Sequence, residues 1–126
     1  MKRKILVVDD DPLSRLMIRE ALEQAEYEVA TAKDIKEGLG KLRSEKIDLV
    51  VLDIILPGSS GYDFLDNCKN DKATKDIPII AFTGRDSDED IDRLKRMGAL
   101  ACLVKDKTPP GHLENIIKMI FEQQSK

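Results

Sequence analysis

Three consecutive aspartates, Asp9, Asp10 and Asp11, follow the apolar run Ile5-Leu6-Val7-Val8, and a fourth, Asp53, interrupts the apolar stretch from Leu49 to Leu56. An ionised group inside an apolar run is costly unless it has a partner. Carboxylates brought together repel one another and need a proton, a lysine or a divalent cation between them. A hard, oxygen-seeking ion such as Mg²⁺ suits such a set, because it is held by one or two carboxylates together with waters and a phosphate. Of the 24 acidic residues 15 are Asp, a poor helix former that favours caps, turns and sites, so the excess must sit somewhere specific. Asp11 and Asp34 are placed to cap helices, and Asp86 and Asp88 to enrich a first helical turn. Asp86, Asp88, Asp90 and Asp92 alternate as in a calcium loop, but Ile91 and Met97 stand where that loop needs Gly and Glu.

The elements that must position these groups alternate along the chain. Ile5 to Val8 reads as a buried strand, continuous rather than alternating. Asp11-Pro12 opens a helix to about residue 25, with Leu13, Leu16, Met17, Ala21, Leu22 and Ala25 as its apolar stripe. Tyr27 to Thr31 is a weaker strand near a sheet edge, and Asp34 caps a helix carrying Ile35, Leu39 and Leu42, softened by Gly38 and Gly40. Leu49 to Leu52 is the third strand, followed by a loop with Pro57-Gly58 and Gly61 and a short helix from Tyr62 to about Asn70. Ile77 to Phe82 forms strand four. A helix from Asp86-Ser87 turns Ile91, Leu94 and Met97 inward and stops at Gly98. Leu100 to Val104 is strand five, and Pro109-Pro110 lead into a last helix built on Leu113, Ile116, Ile117, Ile120 and Phe121. Five strand–helix repeats imply a single α/β domain, a parallel sheet with five helices on its two faces. Ligands of such sheets bind beyond the carboxyl ends of the strands. Those ends carry Asp9, Asp10 and Asp11, then Asp53, Thr83 and Lys105: carboxylates, a hydroxyl and an ammonium delivered to one edge by four strands.

Composition narrows the function further. The 126 residues suffice for one domain, and 41% apolar with 36% charged residues is a globular mixture. A net charge of −3 gives no electrostatic drive toward nucleic acid or anionic membrane. The basic start Met1-Lys2-Arg3-Lys4 is followed by too short an apolar run for a signal peptide. Cys68 and Cys102, 34 residues apart without a CxxC pair, fit a reduced, cytoplasmic protein without a structural zinc site. His112 stands alone as an expected surface residue.

The segments Ile5-Leu6-Val7-Val8-Asp9-Asp10-Asp11, Asp48 to Asp53 with Leu56-Pro57-Gly58, Ile77 to Thr83, and Gly98-Ala99 through Val104-Lys105 together resemble the receiver domains of two-component response regulators. The order and spacing match over essentially all 126 residues, and four motifs in register are far more specific than any one. The resemblance implies a doubly wound, flavodoxin-like sheet of strand order 2-1-3-4-5. It implies that Asp53 accepts a phosphoryl group from a phosphohistidine on a sensor histidine kinase or histidine phosphotransfer protein. Asp10 then corresponds to the direct Mg²⁺ (or Mn²⁺) ligand, Asp9 to its neighbour acting largely through water, and the backbone carbonyl of Ile55 to a further ligand. Lys105 corresponds to the cation on the acyl phosphate, and Thr83 to the hydroxyl that swings to it. The implied role is signalling rather than enzymatic, with residues 1–126 as the receiver, no output domain within them, and an output protein or domain left unidentified. The initial Met and the short polar tail favour a stand-alone regulator.

Three departures from the family pattern stand out. Cys102 occupies a position usually aromatic, where a small core filler is expected and aromatic switching is not. Asp106 follows Lys105 where a cis proline is usual, which implies a re-routed loop. Ile55 and Arg85 occupy positions that tune aspartyl-phosphate hydrolysis, and an apolar Ile55 with a shielding Arg85 implies a long-lived phospho-form. Two other functions compete. A degenerate receiver would serve as a docking module without phosphorylation, and a haloacid-dehalogenase-like phosphatase would use Asp9 of Asp9-x-Asp11 as its nucleophile.

Overall fold

The computed structural model describes residues 2–56, 59–84, 88–109 and 111–124. Among them the elements run β1 (Lys4–Val8), α1 (Pro12–Gln24), β2 (Glu28–Ala32), α2 (Ile35–Ser44), β3 (Leu49–Leu52), β4 (Ile55–Leu56), β5 (Ser59–Ser60), α3 (Gly61–Lys69), β6 (Ile79–Thr83), α4 (Asp88–Arg96), β7 (Ala101–Val104), a 3-10 turn at Lys105–Lys107, and α5 (His112–Gln124). Five strands pair in parallel in the order β2-β1-β3-β6-β7, which in chain order of these five is the expected 2-1-3-4-5. The antiparallel hairpin of β4 and β5 lies outside that sheet and carries no sequence expectation.

Alternation along the central strands explains their unbroken apolar runs. Leu6, Val8, Val50, Leu52, Ile79 and Ala81 face one way and join Ile35, Leu42, Phe64, Leu65 and Leu94 of α2, α3 and α4. Ile5, Val7, Leu49, Val51 and Ile80 face the other way and join Ile18, Leu22, Leu113, Ile117 and Phe121 of α1 and α5. Both faces are covered, so the strand interiors are apolar on both sides. Helix starts follow the side chains expected of them: Asp11 accepts from the Leu13 N–H at 3.2 Å and Asp34 from the Glu37 N–H at 2.8 Å. Gly98, at φ +108°, ends the α4 segment in a conformation that side-chain-bearing residues rarely adopt.

The expected stripe on α1 is largely wrong. Leu13, Leu16 and Met17 are exposed by 64%, 51% and 61%, and the buried residues of this helix are Ile18 and Leu22. At about 100° per residue, Leu16 and Leu13 lie roughly opposite Ile18, so the 3–4 spacing marked the solvent side as readily as the core side. Strand boundaries also move slightly. β6 begins at Ile79 rather than Ile77, because Pro78 offers only its carbonyl, to Val50 N at 3.0 Å, while Ile77 N closes a turn onto Thr74 O at 3.0 Å. Leu100 is exposed ahead of β7, and Gly61 opens α3 rather than closing a loop. The Pro57-Gly58 turn, the Asp86-Ser87 helix start and Pro110 lie outside the described residues.

The two glycines of α2 separate on the same grounds. A Cβ on buried Gly38 would meet Phe64 Cε2 at 2.9 Å and Val8 Cγ2 at 3.2 Å, both in the packed core, whereas exposed Gly40 meets nothing within 4 Å. Urea unfolding should therefore show Gly40→Ala stabilised by about 0.5–1 kcal/mol. Gly38→Ala should be destabilised by about 1 kcal/mol or more through overpacking. Equal gains from both substitutions would contradict the packing described.

Candidate functional site

Register brings the strand ends level. Val8 pairs with Leu52, Leu52 with Ala81, and Thr83 with Val104, so the next residues of β1, β3 and β7 are Asp9, Asp53 and Lys105, beside Thr83 at the end of β6. Backbone hydrogen bonds hold the first two: Asp9 N donates to Ala32 O at 3.0 Å, and Asp53 N to Val8 O at 2.9 Å. Behind Asp53 the α3 backbone arrives at very close range. Gly61 N donates to Ile54 O at 2.7 Å, and a Cβ on Gly61 would stand 2.6 Å from Ile54 Cα and 2.7 Å from Asp53 O. Only a glycine lets the helix seat there without moving Asp53.

The carboxylates converge as the strand ends imply. Asp9, Asp10 and Asp53 each offer an oxygen within 4.8 Å of the others; Asp9 and Asp53 are buried and Asp10 is exposed. Lys105 supplies the compensating charge. Its Nζ donates to Asp9 Oδ2 at 2.8 Å, to Asp53 Oδ2 at 3.1 Å and to Ser14 Oγ at 3.1 Å. Burial pulls the Lys105 pKa down, but the Asp9 hydrogen bond and the charges of Asp53 and Asp9 outweigh it and hold the pKa above the usual lysine value. Asp9 is fixed from every side. Oδ1 accepts from Asp11 N at 3.0 Å, Oδ2 accepts from Ser14 Oγ at 2.7 Å as well as from Lys105, and its carbonyl accepts from Arg15 Nη1 at 2.8 Å. Such an oxygen set suits a hard divalent cation, with Asp10 the most accessible of the three donors.

The remaining expected residues divide. Thr83 is buried at the end of β6, on the same edge. Ile55 opens β4, two residues past Asp53; its side chain and the whole of Arg85 lie outside the described residues. Cys102 is half-buried against the core, with Sγ 3.9 Å from Ile91 O and its thiol pKa raised by burial, in keeping with a small core filler. Asp106 sits in the 3-10 turn, and no cis peptide occurs among the described residues. Within the acidic run at α4, Asp90 makes a structural tie: Tyr62 Oη donates to Asp90 Oδ1 at 3.0 Å, and the Arg93 guanidinium stacks 3.9 Å over the Tyr62 ring. His112 is exposed at the start of α5.

Ser14 and Arg15 carry no sequence expectation, although both touch Asp9. One signal was present. Ser14, Ile18 and Leu22 recur at four-residue spacing, so Ser14 is the polar end of the column that buries against the sheet.

Comparison with known proteins agrees with this geometry. The family profile described as the response regulator receiver domain matches residues 5–118. The phosphate regulon transcriptional regulatory protein PhoB of Escherichia coli K12 is 36% identical over 109 residues, covering 86% of this chain and 48% of PhoB. Protein PilH of Pseudomonas aeruginosa is 33% identical over 117 residues, covering 93% of both chains. Among solved structures, chemotaxis protein CheY4 of Vibrio cholerae superposes with a TM-score of 0.87 at 31% identity, covering 94% of this chain and 98% of that one. This chain thus spans about half the length of the PhoB relatives and nearly all of PilH.

The raised Lys105 pKa has a definite pH signature. A cation stabilised on folding contributes in full below its unfolded pKa near 10.5, and that contribution is lost as pH rises through the higher folded value. Lys105→Met should lower the unfolding free energy by about 1–3 kcal/mol, since it strips a charged hydrogen-bond partner from two buried carboxylates. The gap to wild type should stay constant from neutral pH to about 10 and close above that. A gap that closes near neutrality would show that Lys105 is not the compensating charge.

Proposed function

The chain belongs to the response regulator receiver domain family, and from that premise we propose that it is a phosphoacceptor whose nucleophile is Asp53. The observation that carries this reading is the ammonium of Lys105 held between Asp53 and Asp9, within a triad of carboxylates. In the proposed step an Asp53 carboxylate oxygen forms a bond to phosphorus as the phosphorus–nitrogen bond of a phosphohistidine breaks, and the imidazole keeps the electron pair. The donor is a sensor histidine kinase or a histidine phosphotransfer protein. Little covalent work falls to the protein in phosphoryl transfer, so positioning and charge neutralisation dominate. Lys105 sits where it can pair with the incoming phosphoryl oxygens without leaving Asp9. Thr83 offers a hydroxyl at the same edge. Asp10, Asp9, Asp53 and the Ile55 carbonyl would hold Mg²⁺ or Mn²⁺, which when bound neutralises charge on the phosphoryl oxygens.

The product is a signal rather than a released metabolite: phosphorylation changes which partner the chain binds. A net charge of −3 gives these residues no electrostatic drive toward nucleic acid, which supports leaving such contact to an output protein or domain. No helix among the described residues is long and apolar enough to cross a membrane, and the two free cysteines suit a cytoplasmic setting. Ile55 and Arg85, as positions that tune hydrolysis, favour a long-lived phospho-form. With Cys102 in place of an aromatic, the response does not run through an aromatic rotation at β7.

Intact mass after incubation with Mg²⁺ and a small phosphodonor should show one added phosphoryl on the wild type and none on Asp53→Asn. Label retained by Asp53→Asn would overturn the assignment, and an unlabelled wild type in the presence of a cognate kinase would favour a docking module. Ion binding has its own signature. Mg²⁺ at about ten times its dissociation constant should stabilise the wild type by about 1.4 kcal/mol. Asp10→Asn should lose most of that gain in a thermal melt, and an unchanged Mg²⁺ response would remove Asp10 from the ligand set.

A further inference from the structure

Ser14 lies in the first turn of α1, where a serine ordinarily caps backbone N–H groups. Here that task belongs to Asp11, whose carboxylate accepts from Leu13 N at 3.2 Å. The Ser14 hydroxyl turns instead to the site, donating to Asp9 Oδ2 at 2.7 Å and accepting from Lys105 Nζ at 3.1 Å. An ammonium has three N–H donors and no acceptor. The three described partners of Lys105, Asp9 Oδ2, Asp53 Oδ2 and Ser14 Oγ, match that number.

We propose that Ser14 is a positioning residue for phosphoryl transfer, presetting the Lys105 ammonium so that its third N–H is aimed at Asp53. The inference rests on the reading of Asp53 as phosphoacceptor. Two of the three anchors, Asp9 and Ser14, lie away from the reacting carboxylate and can persist when Asp53 gains its phosphoryl group. The ammonium then redirects one N–H and leaves the other two in place. Without the hydroxyl, one N–H turns to water, and Lys105 is free to swivel about the Asp9 and Asp53 contacts. Asp9 loses a donor at the same time, so both the cation and one of the candidate ion-binding carboxylates are less firmly held. The hydroxyl sits on the helical column of Ile18 and Leu22, which the sheet buries, so the packing of α1 fixes its position. Catalytic groups gain from this kind of preorganisation because orientation is settled before the reaction begins.

The test combines rates with a spectroscopic readout of Lys105 itself. Phosphorylation by phosphoramidate with Mg²⁺ is followed for wild type, Ser14→Ala, Ser14→Thr and Asp53→Asn. The Lys105 ammonium is observed by ¹H–¹⁵N correlation in the cold at mildly acidic pH, where tightly held lysine ammonium groups exchange slowly. Ser14→Ala should be phosphorylated roughly five- to tenfold more slowly, as loss of one ordinary hydrogen bond from the positioning network implies. Ser14→Thr, which keeps the hydroxyl, should return to within about twofold of wild type. The ammonium signal should persist in wild type and Ser14→Thr and exchange away in Ser14→Ala. A wild-type rate in Ser14→Ala overturns the proposal. So does a slow Ser14→Ala with an unchanged ammonium signal, or a Ser14→Thr as slow as Ser14→Ala. A wild type that takes no label, or an Asp53→Asn that does, overturns the phosphoacceptor reading beneath it, an outcome distinct from these.

Discussion

Among the described residues, the Lys105 ammonium pairs with two buried carboxylates. Asp9 and Asp53 end neighbouring strands of a sheet covered on both faces, where isolated charge is expensive, and Lys105 reaches both from the end of β7. Most of the local architecture serves that meeting. The register of β1, β3, β6 and β7 sets the four strand ends at one edge. Gly61 allows α3 to close against Asp53 without a Cβ between them. Ser14 and Arg15, from the first turn of α1, hold the Asp9 side chain and carbonyl. Asp9, Asp10 and Asp53 each bring an oxygen to one place, a donor set that suits a hard divalent cation.

The site stands immediately past the ends of packed strands. Two apolar clusters clamp the central strands, and the polar groups emerge only where those strands stop. A carboxylate held this way would need little reorganisation in the proposed transfer, where orientation and charge do most of the work. Away from the site, Tyr62 ties α3 to α4 through Asp90 and Arg93. That link joins the helix seated against Asp53 to the helix beside Cys102, on the face where the family pattern is altered.

Much of this was legible in the residues. Unbroken apolar runs at Ile5–Val8 and Leu49–Leu52 marked strands buried on both faces, and the polar residues that ended them marked the site. Legibility failed where the information lay in three dimensions. The 3–4 spacing of Leu13, Leu16 and Met17 was real, but spacing alone does not say which side of α1 meets the sheet, and the core took Ile18 and Leu22. The β4–β5 pairing spans too few residues to leave a periodic signal. Gly38 and Gly40 look alike in sequence and differ only because Phe64 and Val8 crowd one of them. The role of Ser14 is not written in its local sequence, because its chemistry depends on a lysine that arrives from the far end of the chain.

Asp53, and no other carboxylate of this ion-paired edge, is the proposed nucleophile. The most direct measurement locates the phosphoryl group: the phosphorylated chain is reduced with borohydride, which converts an aspartyl phosphate to homoserine, then digested and sequenced by tandem mass spectrometry. The expected result is homoserine at position 53 alone. Homoserine at position 9 would instead identify a phosphatase-type nucleophile and contradict the account.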